Sequence, residues 1–280
     1  MLFTNLIYLC ELDNISLTDS GVTLMNVKNL IHSFALTFAL YTGVATPSFA
    51  SDVEVTHVAN AGIKIASGDK SVVIDALFTP SSDTNFLNTD QFEQLASQST
   101  DLVLATTASS EHFGTKRTIS AMLQNPDALL ISTPKVIRKM RSSISDNRLV
   151  APKLELFESA EYQYQGIKVT VFSVPHSDQS RQRSTQNYAF LVEIDRFKVL
   201  HAGNANVQDI AKSFPESQIR GIDLAVVPAL CVNHESCVKH LNSLDIKSIA
   251  FATNSEQSTQ DIASKAPYMA ALNKPFELKQ

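Results

Sequence analysis

The chain has no low-complexity tract, no repeat of solenoid period and no basic stripe. These absences exclude repeat architectures, fibrous chains and the charged face that nucleic-acid binding requires. Net charge is −5, and the 28 acidic and 23 basic residues are spread along the sequence. The 10 Pro and 8 Gly are scattered, so no Pro- or Gly-rich linker divides the chain. No apolar run reaches the ~20 residues that span a bilayer. The longest mostly apolar stretch, Leu30 to Val44, is shorter than that and sits between Met25-Asn-Val-Lys-Asn and Pro47-Ser-Phe-Ala50. A short basic start, an apolar core and small residues at 48 and 50 are the parts of a secretory leader. The expected organisation is an extension over 1–24 that belongs to neither leader nor domain, a signal peptide over 25–50 and a single domain over 51–280. A periplasmic or secreted protein with no membrane span after leader removal follows from that reading. Translation is then expected to begin at Met25.

Only Cys231 and Cys237 remain after such a cleavage. In an oxidising compartment they can close a small disulfide loop. The pair can also stay as free thiols. Because Cys231, His234, Cys237 and His240 recur every third residue, a zinc site is a third alternative, although the spacing matches no structural zinc module.

Strand-like runs rich in β-branched residues recur along the mature chain: 53–58, 62–66, 71–77, 101–106, 128–132, 167–174, 187–194, 197–201, 222–227 and 246–252. Helices are expected over 89–97, 134–144, 207–214, 235–244 and 256–266. In the first, Phe92, Leu95 and Ala96 share one face. In the second, Pro134 opens the first turn and Val136, Ile137, Met140 and Ile144 follow at helical spacing. Strands joined by short turns, then strands alternating with helices, predict a layered α/β domain.

Several segments, in order, carry a resemblance. They are Val55-Thr-His-Val-Ala-Asn-Ala-Gly62, Ser71-Val-Val-Ile-Asp-Ala-Leu-Phe78, Thr106-Thr-Ala-Ser-Ser-Glu-His112, Val169-Thr-Val-Phe-Ser-Val-Pro-His176, Asn187-Tyr-Ala-Phe-Leu-Val-Glu-Ile194 and Lys198-Val-Leu-His-Ala-Gly-Asn-Ala205. Gly221 to Pro228 and Lys247 to Thr253 complete the set. The series resembles the metallo-β-lactamase superfamily, closest to its lactonase-like or general hydrolase branch, over essentially the whole mature chain. The resemblance implies an α/β (α+β) fold, a four-layer αββα sandwich with its site at one edge of two sheets.

The same resemblance implies where metal ligands belong. Active relatives hold one metal with three histidines and a second with Asp, His and a late histidine, and an Asp bridges the two. Such a pair activates water and clamps the scissile group. By position, the two motif histidines fall on Thr107 and Ser109, and the Asp-His pair on Glu111 and His112. The third histidine is His176, the bridging Asp is Asn204 and the last histidine is Thr253. Hydroxyls are weak zinc ligands, and a neutral amide supplies no bridging charge. A dinuclear centre is therefore not expected, and the expected cofactor is none, or at most one zinc or similar ion on Glu111, His112 and His176. A metal-free alternative uses Ser109 or Ser110 with His112 or His176, the histidine oriented by Asp75 or Glu111. No Gly-x-Ser-x-Gly elbow supports it. His201 reads as a residue beside the bridging position that serves packing, and His57 as structural. Arg181 and Arg183 sit in a polar loop after His176 that could overhang the cleft.

Two functional classes follow, and a third reading is a periplasmic interaction module whose cleft is filled by side chains. One is a family member whose hydrolase site has decayed and whose cleft binds a small molecule or a periplasmic protein. The other is a hydrolase of ester- or lactone-type bonds with one metal or none.

Overall fold

The computed structural model describes residues 52–79, 87–178, 186–252 and 276–278. All of them lie in one compact unit, Ala50–Gln280. The other unit, Met1–Phe49, lies outside the described residues, as do the whole expected leader 25–50, the expected helix 256–266, Arg181, Arg183 and Thr253.

The first sheet contains β1 (Val53–Ala59), β2 (Gly62–Ser67), β3 (Lys70–Ile74), β4 (Leu102–Ala105), β5 (Leu129–Ser132), β6 (Leu149–Val150) and β13 (Phe276–Leu278), in the order β13-β1-β2-β3-β4-β5-β6. Its early strands pair antiparallel, and β3 to β6 pair parallel. The second sheet contains β7 (Ser159–Tyr164), β8 (Ile167–Ser173), β9 (Tyr188–Ile194), β10 (Phe197–His201), β11 (Ile222–Pro228) and β12 (Ile246–Ala252), in the order β12-β11-β10-β9-β8-β7.

Alternation along the strands sorts the apolar side chains into three layers. Val55, Ile65, Val72, Leu104, Val169, Tyr188, Phe190 and Val226 fill the space between the sheets. On the outer face of the first sheet lie α1 (Thr89–Ser97), α2 (Thr115–Gln124) and α3 (Pro134–Met140), which contribute Phe92, Met122, Val136 and Met140 to a second core with Val73 and Val103. On the outer face of the second lie α4 (Ile210–Ser213) and α5 (Glu235–Ser243), with Ile210 and Leu241 packed against Leu191, Leu200 and Ala225. Helix, sheet, sheet, helix is the four-layer sandwich that the resemblance implied.

Local chemistry explains the boundaries. Asn88 caps α1 reciprocally: its side chain accepts from the Gln91 amide, and the Gln91 side chain accepts from the Asn88 amide. The strand expected to run to Leu77 stops at Ile74, because Asp75 takes a φ of 51° and turns the chain. Helix α2 was not expected from sequence: it starts at Gly114 without a side-chain cap and buries Thr118, Ala121 and Met122, a weak apolar stripe. Strand β7, an edge strand of half-buried tyrosines and exposed polar residues, gave no strand signal either. The stretch 207–214 is a short 3-10 turn over Val207–Asp209 followed by α4, and not one helix. No helix among the described residues is long and apolar enough to cross a membrane.

Cys231 and Cys237 form a disulfide, both fully buried, which ties the turn Ala229–Asn233 to α5. The free-thiol and zinc alternatives are thereby set aside. His234 faces Ser236, and His240 donates to the Phe214 carbonyl at 2.8 Å. A loop this short restricts the unfolded chain modestly, so reduction is expected to destabilise the protein by about 2 kcal/mol. Urea titrations with and without a reductant check this, and an unchanged midpoint would place the bond outside the cooperative unit.

Candidate functional site

The site is built where β3 and β4 end beside the loops that follow β8 and β10. Asp75 sits in the first turn after β3 in the left-handed region, which an Asp side chain tolerates better than most. Its carboxylate is 1% exposed and fully engaged. One oxygen accepts from the Thr106 amide at 2.8 Å, and the other accepts from the Thr106 hydroxyl at 2.7 Å and from His112 Nδ1 at 2.6 Å. Burial alone would raise the Asp75 carboxyl, but the His112 charge, its hydrogen bond, His201 and the Thr106 amide hold it below the ordinary carboxylate value. Burial alone would lower His112, yet Asp75, then Glu111 and the hydrogen-bonding side chain of Asn204, raise it. Each partner thereby favours the charged form of the other.

A carboxylate on Nδ1 is how proteins orient a metal-ligating histidine, leaving Nε2 for the ion. Here Thr106 Oγ1 also lies 3.3 Å from Nδ1, and the Asn204 side chain, at the position that the resemblance assigns to the bridging Asp, raises the His112 pKa through a hydrogen bond.

Neighbouring loops lock this arrangement. The Asn60 amide donates to the Glu111 carbonyl at 2.9 Å, fastening the motif loop to the β1–β2 turn. His201 is fully buried, donates from Nε2 to the Ala61 carbonyl at 2.7 Å and accepts from the Gly203 amide on Nδ1 at 3.2 Å. Burial pushes its pKa down against the pull of Asp75, so it is a neutral tie between the sheets. His57 donates to the Asn60 carbonyl at 2.7 Å in the same structural manner. Gly203, at φ 55°, packs so closely that a Cβ there would stand 2.8 Å from Thr106 Cγ2. That close approach presses the loop carrying Asn204 onto the motif loop. His176 joins them through a bridge to Ala205, while its Nδ1 accepts from the Asp178 amide at 3.0 Å and the Asn204 carbonyl accepts from Ser177.

The structure thus brings His112, Asn204 and the His176 loop together, with Thr107 and Ser109 on the same turn as His112. Thr107 is fully buried and Ser109 half-buried, and neither hydroxyl has a hydrogen-bond partner. Ser109 Oγ therefore makes no bond to either histidine, and the Ser109 form of the Ser–His alternative is not assembled. Among the described residues, no three His, Cys, Asp or Glu side chains form a group able to hold a metal ion, Glu111, His112 and His176 included. The donor set explains this: two positions are neutral hydroxyls, one is a neutral amide, and His112 is held by Asp75 and Asn204. The residues present do not fit the family's metals. Sequence reading undervalued Asp75, named only as an orienting group, and missed Thr106 and Asn60.

A four-layer sandwich with its polar centre at the strand ends defines the class. A family model described as the beta-lactamase superfamily domain matches residues 70–258, and the chain belongs to that family. Solved structures share the fold. A metallo hydrolase from Ignicoccus hospitalis superposes with a TM-score of 0.56 at 13% identity, covering 82% of this chain and 100% of that one. An isothiocyanate hydrolase from Delia radicum gut bacteria gives 0.53 at 14% identity, covering 80% and 100%. A metallo-beta-lactamase fold protein from Bacillus subtilis gives 0.50 at 11%, covering 81% and 100%. No curated protein sequence matches the chain closely enough to count as a relative.

Proposed function

We propose that this chain is an exported member of a hydrolase family that has lost the dinuclear chemistry and uses the old cleft to bind a small molecule or a periplasmic partner. The observation that carries the reading is His112 held between Asp75 at 2.6 Å and the Asn204 side chain. Thr107 and Ser109 at the positions of two ligating histidines support it, because a protonated hydroxyl is a far weaker donor to zinc than a neutral imidazole. The Cys231–Cys237 disulfide suits an oxidising compartment and supports the leader read over residues 25–50. In the competing reading the relatives' hydrolase activity persists on one metal or on a Ser–His pair, and the unpartnered Ser109 hydroxyl weighs against the second form.

Elemental analysis of the full chain, purified without a metal-binding tag and dialysed, tests the proposal. Zinc, iron and manganese far below one equivalent are expected. Turnover of ester and lactone probes should match buffer and be indifferent to a chelator. One retained equivalent that is lost in His112→Ala or His176→Ala would overturn the reading and restore the hydrolase.

A further inference from the structure

The outer face of the first sheet carries a groove of about 490 Å³ that the candidate site does not use. That volume falls within the range of small-ligand sites. One wall is the β1–β2 hairpin. Val55, Ile63 and Ile65 alternate into the core between the sheets, so Glu54, Thr56, Lys64 and Ala66 face outward into the groove. The other wall is α1 with its C-terminal cap, which presents Gln91, Gln94 and Gln98 at i, i+3 and i+7, one stripe of a helix. Leu87, Leu95 and Val58 add apolar surface. Thr56 lies opposite Lys64 and Glu54 opposite Ala66, so Glu54 and Lys64 are diagonal neighbours with Cα atoms about 7–8 Å apart.

These groups are within reach of a solute: Glu54 and the three glutamines are exposed, and Thr56 and Lys64 half-buried. Lys64 donates to the side-chain oxygen of Gln98, a neutral acceptor, and makes no ion pair among the described residues. Burial pushes its pKa down against the pull of Glu54. Glu54 accepts from the Thr56 hydroxyl through Oε1 at 2.9 Å, which leaves Oε2. Gln91 and Gln98 spend their oxygens on the Asn88 amide and on Lys64, so each keeps its NH2 group, and the exposed Gln94 adds a donor and an acceptor between them. A ligand that matches this set carries a carboxylate for Lys64, an ammonium for Glu54 and peptide groups for the glutamines. Two extended residues span about 7 Å, the separation of the diagonal pair. A lone anion would also face Glu54, and a lone cation Lys64, so neither is favoured. We propose that this groove binds a short peptide with free ends, its C-terminal carboxylate on Lys64 and its N-terminal ammonium on Glu54. The groove is separate from the His112 cleft, and the inference stands whether or not that cleft holds a metal.

Saturation-transfer NMR on the full chain tests it, with the dipeptide Ala-Leu, its N-acetyl form and its C-terminal amide as probes, and acetate and methylammonium as controls. Free Ala-Leu is expected to receive saturation, and each blocked form to bind about tenfold more weakly through loss of one charged contact. Glu54→Gln, at an exposed position, is expected to weaken Ala-Leu about tenfold and to leave the N-acetyl form unchanged. Lys64→Met keeps the aliphatic stem; it is expected to weaken Ala-Leu to the same degree and to leave the C-terminal amide unchanged. If Lys64→Met fails to fold, the amide-capped probe on the wild-type chain gives the same readout. Silence from Ala-Leu, equal signals from free and blocked forms, or unaltered Ala-Leu binding in Glu54→Gln would overturn the inference. Acetate or methylammonium binding as well as Ala-Leu would make the groove a simple ion site, and overturn it too.

Discussion

Asp75→Ala is expected to cost the fold about 3–5 kcal/mol, the range for stripping one partner from a buried ion pair. The carboxylate is the single acceptor for three donors: the Thr106 amide, the Thr106 hydroxyl and His112 Nδ1. Alanine takes that acceptor from all three in a place that is 1% exposed, leaving the Thr106 hydroxyl and His112 Nδ1 only their long 3.3 Å contact with each other, and His112 loses its counter-charge. It also puts a side chain without local hydrogen bonding at φ 51°. Asp75→Asn separates these contributions, because asparagine keeps the left-handed turn and the shape while removing the charge. It should therefore fall between wild type and alanine. Urea unfolding followed by circular dichroism measures both, provided the slope stays constant so that the midpoint reports stability. An alanine variant within about 1 kcal/mol of wild type would mean that the pair contributes little beyond packing.

Stability is expected to peak near pH 6.5, with the two limbs owned by different buried histidines. His112 is raised above its ordinary value of about 6.5, so its contribution is complete below that pH and is lost as pH climbs towards the folded value. His201 is lowered, so the unfolded chain takes up a proton that the fold refuses, and stability falls as pH drops below about 6.5. Asp75 is lowered from an ordinary value of about 3.9; its contribution holds above that pH and is lost only in stronger acid, outside the peak. Each limb can fall by up to ~1.4 kcal/mol per pH unit per proton. His112→Asn should flatten the alkaline limb and His201→Asn the acid limb, whatever each does to the baseline. Denaturant titrations from pH 5 to 8 read this out, and a curve flat across that range would refute the charge states assigned to both rings.

The fold was legible because the residues that make it are periodic. The alternation in 167–174 and 187–194 and the paired apolar faces of α1 and α3 sort cleanly between the three cores. What escaped was weakly patterned for physical reasons. Strand β7 buries little, and α2 presents Thr118 and Ala121 where a stronger stripe would present leucines. At the site, the ordered motifs placed Thr107, Ser109, His112, His176 and Asn204 on neighbouring loops. Their hydrogen bonds were not legible. Asp75 becomes the centre of the network only once the turn after Ile74 and the close packing of Gly203 on Thr106 are known. Thr253, the loosest of the transferred positions, lies outside the described residues.

The central claim is that His112 is held by protein groups alone, and long-range nitrogen–proton correlation NMR of its ring tests this most directly. The account predicts a ring protonated on both nitrogens, persisting above pH 6.5 and unmoved by one equivalent of zinc. A deprotonated ring nitrogen that shifts into the metal-bound range when zinc is added would contradict it.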